Sequence, residues 1–158
     1  MRRRILLTVL IVCMLAFIWG NSLLSREISG AISDTILKYA NRVAEAAGLG
    51  ESFFSFFTDT DGDGEAEETS HWIRKAAHIT EFAVFAVLLR LRLESTGEKR
   101  FFTVLALSGA TAAMDETLQI FSHRGSQLRD VLIDLAGALL GLGLVWLLGR
   151  KRRKRETA

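Results

Sequence analysis

From Ile5 to Ser25 the chain runs for 21 residues without a charge. At about 1.5 Å per residue, such a helix crosses a hydrocarbon core of about 30 Å. Three further apolar stretches of comparable length follow. The spacing predicts spans over 5–24, 76–93, 101–121 and 131–149. The expected fold is therefore all-α: an integral membrane four-helix transmembrane bundle, one domain over residues 1–158. Arg2, Arg3 and Arg4 precede the first span, and a basic start before an apolar run also describes a secretory signal peptide. No small-x-small cleavage site follows, and the run is long for a signal sequence, so an uncleaved anchor is expected.

The segment between the first two spans, 26–75, divides into three parts. Ile28, Ile32, Ile36, Tyr39, Ala40 and Val43 recur at helical spacing, with Glu27, Asp34, Lys38, Arg42 and Glu45 between them. This predicts an amphipathic helix ended by Gly48 and lying on the membrane surface. Phe53, Phe54, Phe56 and Phe57 come next, and then an acidic run from Asp59 to Glu68. Asp59, Asp61, Asp63 and Gly64 occupy positions one, three, five and six of a calcium loop. Position twelve, which should carry a bidentate glutamate, is Ser70, so a solvated acidic linker is the expected reading and no metal is assigned.

Charge placement then gives the sidedness. With both termini inside, the cytoplasmic segments hold Arg2–Arg4, Arg90, Arg92, Lys99, Arg100 and the basic tail of 150–158. That is thirteen of the 20 Lys and Arg, the excess that marks cytoplasmic loops. The tail also matches a basic cluster attracted to anionic lipid. A multi-pass bacterial cell-membrane protein with both termini cytoplasmic is expected. Composition changes little: 49% hydrophobic residues, no proline and a net charge of +2 exclude a disordered chain and give no case for nucleic acid. The lone Cys13 has no second cysteine to bridge.

The same topology sorts the ionisable groups inside the spans. Such groups are costly in a bilayer and face a bundle interior or a watery cavity. His78 and Glu81 open the second span from outside. Asp115, Glu116 and Gln119 close the third as it travels outward. His123 and Arg124 occupy the short outer turn, and Arg129, Asp130 and Asp134 open the fourth span. Four separate stretches thus meet at one depth, in the outer leaflet. His78 with Glu81, Asp115 or Glu116 with Gln119, and Asp130 with Asp134 each share a helix face. Arg124 and Arg129 are the expected partners of the carboxylates. Helix glue is the plain alternative, supported by the Gly137-x3-Gly141 pattern and by Gly109, Ala112 and Ala113. Five carboxylates with a histidine exceed what glue needs, which favours a functional polar cluster of His78, Glu81, Asp115, Glu116, Gln119, Arg124, Asp130 and Asp134. A zinc centre on His78, Glu81 and His123 is a weaker option, because no ligand motif fixes the spacing.

The pieces Arg74-Lys75-Ala76-Ala77-His78-Ile79-Thr80-Glu81-Phe82 and Asp115-Glu116-Thr117-Leu118-Gln119-Ile120-Phe121 resemble the VanZ family. Arg124, Asp130, Asp134 and Gly137 do so as well, in order and spacing. Asn21-Ser22 also resembles the family's usual start. The likeness covers the four spans, with the long outer loop as an insertion. It implies a small bacterial multispanning membrane protein linked to lowered susceptibility to teicoplanin, with the residues just named as motif positions and without assigned chemical roles.

Three functional classes follow. One is a non-enzymatic envelope factor at the outer face, with membrane lipid, a lipid-linked cell-wall precursor or a lipoglycopeptide as partner. Another is a membrane enzyme using His78 with Glu81 or the Asp115–Glu116 pair on a lipid headgroup. The third is a small transporter, oligomerised around the polar site. No nucleophile motif or phosphate-cradling loop is present, and no cofactor is expected. The first class is favoured.

Overall fold

A computed structural model describes residues 1–48, 66–94, 97–121 and 128–156. Among the described residues there are five helices: α1 (Arg2–Ser22), α2 (Arg26–Ala46), α3 (Ala66–Arg92), α4 (Gly97–Phe121) and α5 (Leu128–Glu156). No strand occurs among the described residues. The phenylalanine cluster and the candidate calcium residues Asp59, Asp61 and Asp63 lie outside them, as do His123 and Arg124.

Local chemistry accounts for the helix ends. Ser25 has an extended backbone, and its hydroxyl accepts from the Ile28 amide at 3.4 Å, capping α2. Gly48, two residues past the end of α2, takes φ +68°, a left-handed conformation that suits glycine in stopping a helix. Helix α3 begins at Ala66, ten residues before the expected span, so part of the acidic run is helical. Helix α5 carries on through the basic tail to Glu156.

Helix α3 is the centre of the assembly and touches each of the other four. Its Phe82, Phe85, Ala86 and Leu89, spaced three and four apart, form a buried stripe against Ile18, Val104, Ala112, Ala138 and Leu142. The most extensive contact is between α3 and α5. Its cause is the small-residue pair. A Cβ at Gly137 would sit 2.5 Å from the carbonyl oxygen of Ile79, and one at Gly141 would overlap that of Ala83. Only glycine lets the two backbones come this close. Gly137→Ala and Gly141→Ala should each destabilise the purified protein by about 1–3 kcal/mol in a reversible denaturation assay. Gly143, with nothing within 4 Å of its added Cβ, should tolerate alanine within about 0.5 kcal/mol.

The interior combines this apolar core with a buried polar cluster, while much of the exterior is apolar. Asp115, Asp134 and Ser108 are fully buried, while Leu6, Val12, Phe17, Leu132, Leu140 and Trp146 are more than half exposed. Extensive apolar exterior around a buried polar cluster is what a hydrocarbon solvent selects. Helix α1 and residues Leu128–Arg150 of α5 are each long and apolar enough to cross a membrane, with only 11% and 28% of their apolar stretches buried inside the protein. Most of each stretch is not buried inside the protein. Helices α3 and α4 have the length but not the composition: Arg74, Lys75, Arg90 and Arg92 flank the apolar part of α3, and α4 turns Ser108, Thr111, Asp115 and Glu116 inward.

The amphipathic character of α2 is as expected, and its orientation is informative. Ser29 and Ser33 are buried, whereas Ile28, Ile32, Ile36, Tyr39 and Val43 are exposed. The helix meets α3, and its apolar stripe is largely exposed, with Ile32 and Ile36 also lining a cavity against α1 and α3. At the far end of the bundle, Arg4 pairs with Glu94, Arg92 donates to Thr8 Oγ1 at 2.9 Å, and Arg100 donates to the Glu94 carbonyl at 3.2 Å. These exposed contacts set helix register and add little stability.

Candidate functional site

The polar groups converge at the end of the bundle where α1 finishes and α3 and α5 begin their apolar stretches. Asp115 is at the centre and is fully buried. Ser22, the last residue of α1, donates its hydroxyl to Asp115 Oδ1 at 2.5 Å. Gln119, one turn on in α4, donates to Asp115 Oδ2 at 3.2 Å and to Glu116 Oε1 at 3.1 Å. One amide thus restrains both carboxylates of the Asp115–Glu116 pair. On α3, His78 Nδ1 is 3.2 Å from Asp134 Oδ1 of α5 and 3.9 Å from Asp115 Oδ2 of α4. One turn along α3, Glu81 accepts from Asn21 Nδ2 of α1 at 3.4 Å.

His78 and Asp134 meet because of the glycine contact. Gly137 packs on Ile79, so the residue before Ile79 and the one a turn before Gly137 are brought side by side. Several buried atoms have no hydrogen bond: Trp19 Nε1, His78 Nδ1, Glu81 Oε2, Ser108 Oγ and both carboxylate oxygens of Asp134. His78 and Asp134 are within ion-pair distance of one another, and among the described residues nothing else reaches the Asp134 carboxylate within hydrogen-bonding distance. Unsatisfied buried groups are expensive, and several in one place point to a site kept for something other than stability.

Beside the cluster is a cavity of about 400 Å³ between α1, α2 and α3. Asn21, His78 and Glu81 form its polar end, with Arg74 one turn up α3. Phe17, Ile32, Ile36 and Ile73 supply apolar wall, and the buried Ser29 and Ser33 face it from α2. An apolar pocket with a few convergent polar groups is the usual form of a small-molecule site.

A sequence profile of the VanZ/LLP1 family matches residues 5–149, nearly the whole chain. The chain belongs to the VanZ/LLP1 family. No curated protein and no solved structure matches it. In this VanZ/LLP1 protein the fold gathers His78, Glu81, Asp115, Glu116, Gln119 and Asp134 into one cluster. Asp130 is half-buried in the first turn of α5, one turn before Asp134. Arg124 lies outside the described residues.

The expected role of Arg129 needs correction. It is exposed and makes no ion pair among the described residues. The basic group beside Asp134 is the His78 imidazole, because the α3–α5 contact turns Asp134 inward and leaves Arg129 on the outside. The zinc option on His78, Glu81 and His123 cannot be drawn on the described residues, because His123 lies outside them. The groups that close on His78 Nδ1 are Asp115 and Asp134. Asn21 and Ser22 belong to the cluster too, though their chemistry alone did not place them there. Their signal in the sequence is two polar residues closing an otherwise apolar run.

Proposed function

We propose that this VanZ/LLP1 protein is a four-span protein of the bacterial cell membrane with both termini cytoplasmic. In this reading it acts at the outer face as an envelope factor that lowers susceptibility to glycopeptides such as teicoplanin. Its polar site binds an amphiphile, a lipid-linked cell-wall precursor or a lipoglycopeptide, without covalent chemistry. The observation that carries this is the cavity between α1, α2 and α3. Its apolar walls suit an acyl or prenyl chain, and the Arg74 guanidinium suits a phosphate or carboxylate. Glu81 Oε2, buried and without a hydrogen bond, lacks the donor that a sugar hydroxyl or amide would supply. Family membership supports the link to teicoplanin.

Two measurements test it. Single cysteines in a Cys13→Ser background, exposed to an impermeant thiol reagent on intact cells, should label at Glu45→Cys on α2 and be protected at Glu98→Cys on α4. The reverse pattern ends the proposed orientation. The protein in lipid nanodiscs should also bind teicoplanin or a lipid-linked disaccharide precursor, and Ala77→Phe, which fills the cavity with an apolar ring, should weaken that binding at least about tenfold. Unchanged binding in Ala77→Phe would remove the cavity from the account.

A further inference from the structure

We propose that His78, Asp115 and Asp134 form a binding site for a divalent transition-metal ion of the zinc type. The site stands apart from the nature of the cavity's occupant. Each of the three residues comes from a different helix, α3, α4 and α5, and offers one donor atom, with all three atoms within 4.8 Å of one another. The His78 Nδ1–Asp134 Oδ1 separation of 3.2 Å is close to the roughly 3.3 Å between donors on a tetrahedral zinc ion with bonds of about 2.0–2.1 Å. The 3.9 Å to Asp115 Oδ2 requires only a small inward movement.

Proximity of acids is not enough, and the second observation concerns Asp134. Its side chain is 1% exposed, yet neither carboxylate oxygen has a hydrogen bond. His78 Nδ1, buried and 3.2 Å away, also has none. Lone pairs left without donors in a sealed polar pocket are costly unless a further group completes them. A cation seated between the imidazole nitrogen and the two carboxylates would complete the Asp134 oxygens that the close His78 contact leaves unsatisfied.

The surroundings fit this role. Ser22 donates to Asp115 Oδ1 and Gln119 to Oδ2, which orients the carboxylate as outer-sphere hydrogen bonds orient metal ligands. Imidazole nitrogen with carboxylate oxygens suits zinc and its neighbours better than calcium or magnesium, which prefer oxygen alone. Three protein ligands leave a fourth position open. His78 also lines the cavity, so that position is next to whatever the cavity holds.

The full chain, purified in detergent with chelator and then dialysed, should bind one Zn²⁺ per chain by elemental analysis. Co²⁺ should give the intense visible bands of a tetrahedral site. Asp134→Asn and His78→Gln keep side-chain size and should each weaken Zn²⁺ binding at least about 100-fold. Ser22→Ala, removing only an outer-sphere donor, should weaken it about tenfold. The double variant Asp61→Asn, Asp63→Asn should bind as the unaltered protein does. Circular dichroism establishes that each variant is folded, and Ser22→Ala keeps the test decisive if a ligand variant is not. No stoichiometric Zn²⁺ in the folded unaltered protein overturns the proposal. So does undiminished binding in Asp134→Asn and His78→Gln, or in Ser22→Ala where those two do not fold.

Discussion

His78→Ala and Glu81→Gln are each expected to abolish survival on teicoplanin when the protein is expressed in a susceptible Gram-positive host lacking its own copy, while membrane insertion is unaffected. Both residues line the cavity and both belong to the buried cluster. Glu81→Gln is the more discriminating of the two. The amide has nearly the shape of the carboxylate and still accepts from Asn21, but it puts an NH2 group in place of the carboxylate oxygen Oε2, which has no hydrogen bond among the described residues. A ligand donor facing an amide in place of a carboxylate loses a charge-assisted hydrogen bond, and with it most of the discrimination at that point. Asp61→Asn, outside the described residues and within the acidic run, should leave survival unchanged. Full survival with normally expressed Glu81→Gln would move the search away from this cavity.

The second large effect is on stability. Asp115→Ala should destabilise the chelator-treated protein by about 3–5 kcal/mol, because it leaves buried partners around a lost charge. Ser22, Gln119 and His78 all converge on Asp115 from three helices. Ser22→Ala removes one hydrogen bond and should cost only about 0.5–2 kcal/mol. His78→Ala and Asp134→Ala should be non-additive, with a coupling of about 1–3 kcal/mol, since each loss already breaks the shared contact. Replacing His78, Asp115 and Asp134 together by leucine should recover much of the stability without recovering survival, because a wholly apolar set leaves no charge to satisfy. Reversible denaturation of these variants and of the unaltered protein in one detergent decides this. Strict additivity of His78→Ala with Asp134→Ala would break the proposed contact.

The apolar runs, the intervening amphipathic helix and the meeting of His78, Glu81, Asp115, Glu116 and Asp134 at one depth follow from the sequence by itself. Hydrophobic periodicity and run length are local properties, and an up-and-down helical path converts position along the chain into height in the bundle. Family membership was legible for the same reason, since its motifs are short local spacings. Which helix faces which is not a local property. Periodicity puts Asp130 and Asp134 on one face of α5 but does not say that Asp134 meets His78. That pairing depends on Gly137 and Gly141 seating against Ile79 and Ala83, a contact between segments more than fifty residues apart. The same contact leaves Arg129 exposed, so of the two arginines nominated as partners Arg129 is not beside Asp134, while Arg124 lies outside the described residues. Only the tertiary structure brings Asn21 and Ser22 to the acids, because the end of α1 is fixed by its packing on α3 and α4. It alone aims the unbonded lone pairs of Asp134 at the imidazole, because helix rotation is set by side-chain packing and not by charge.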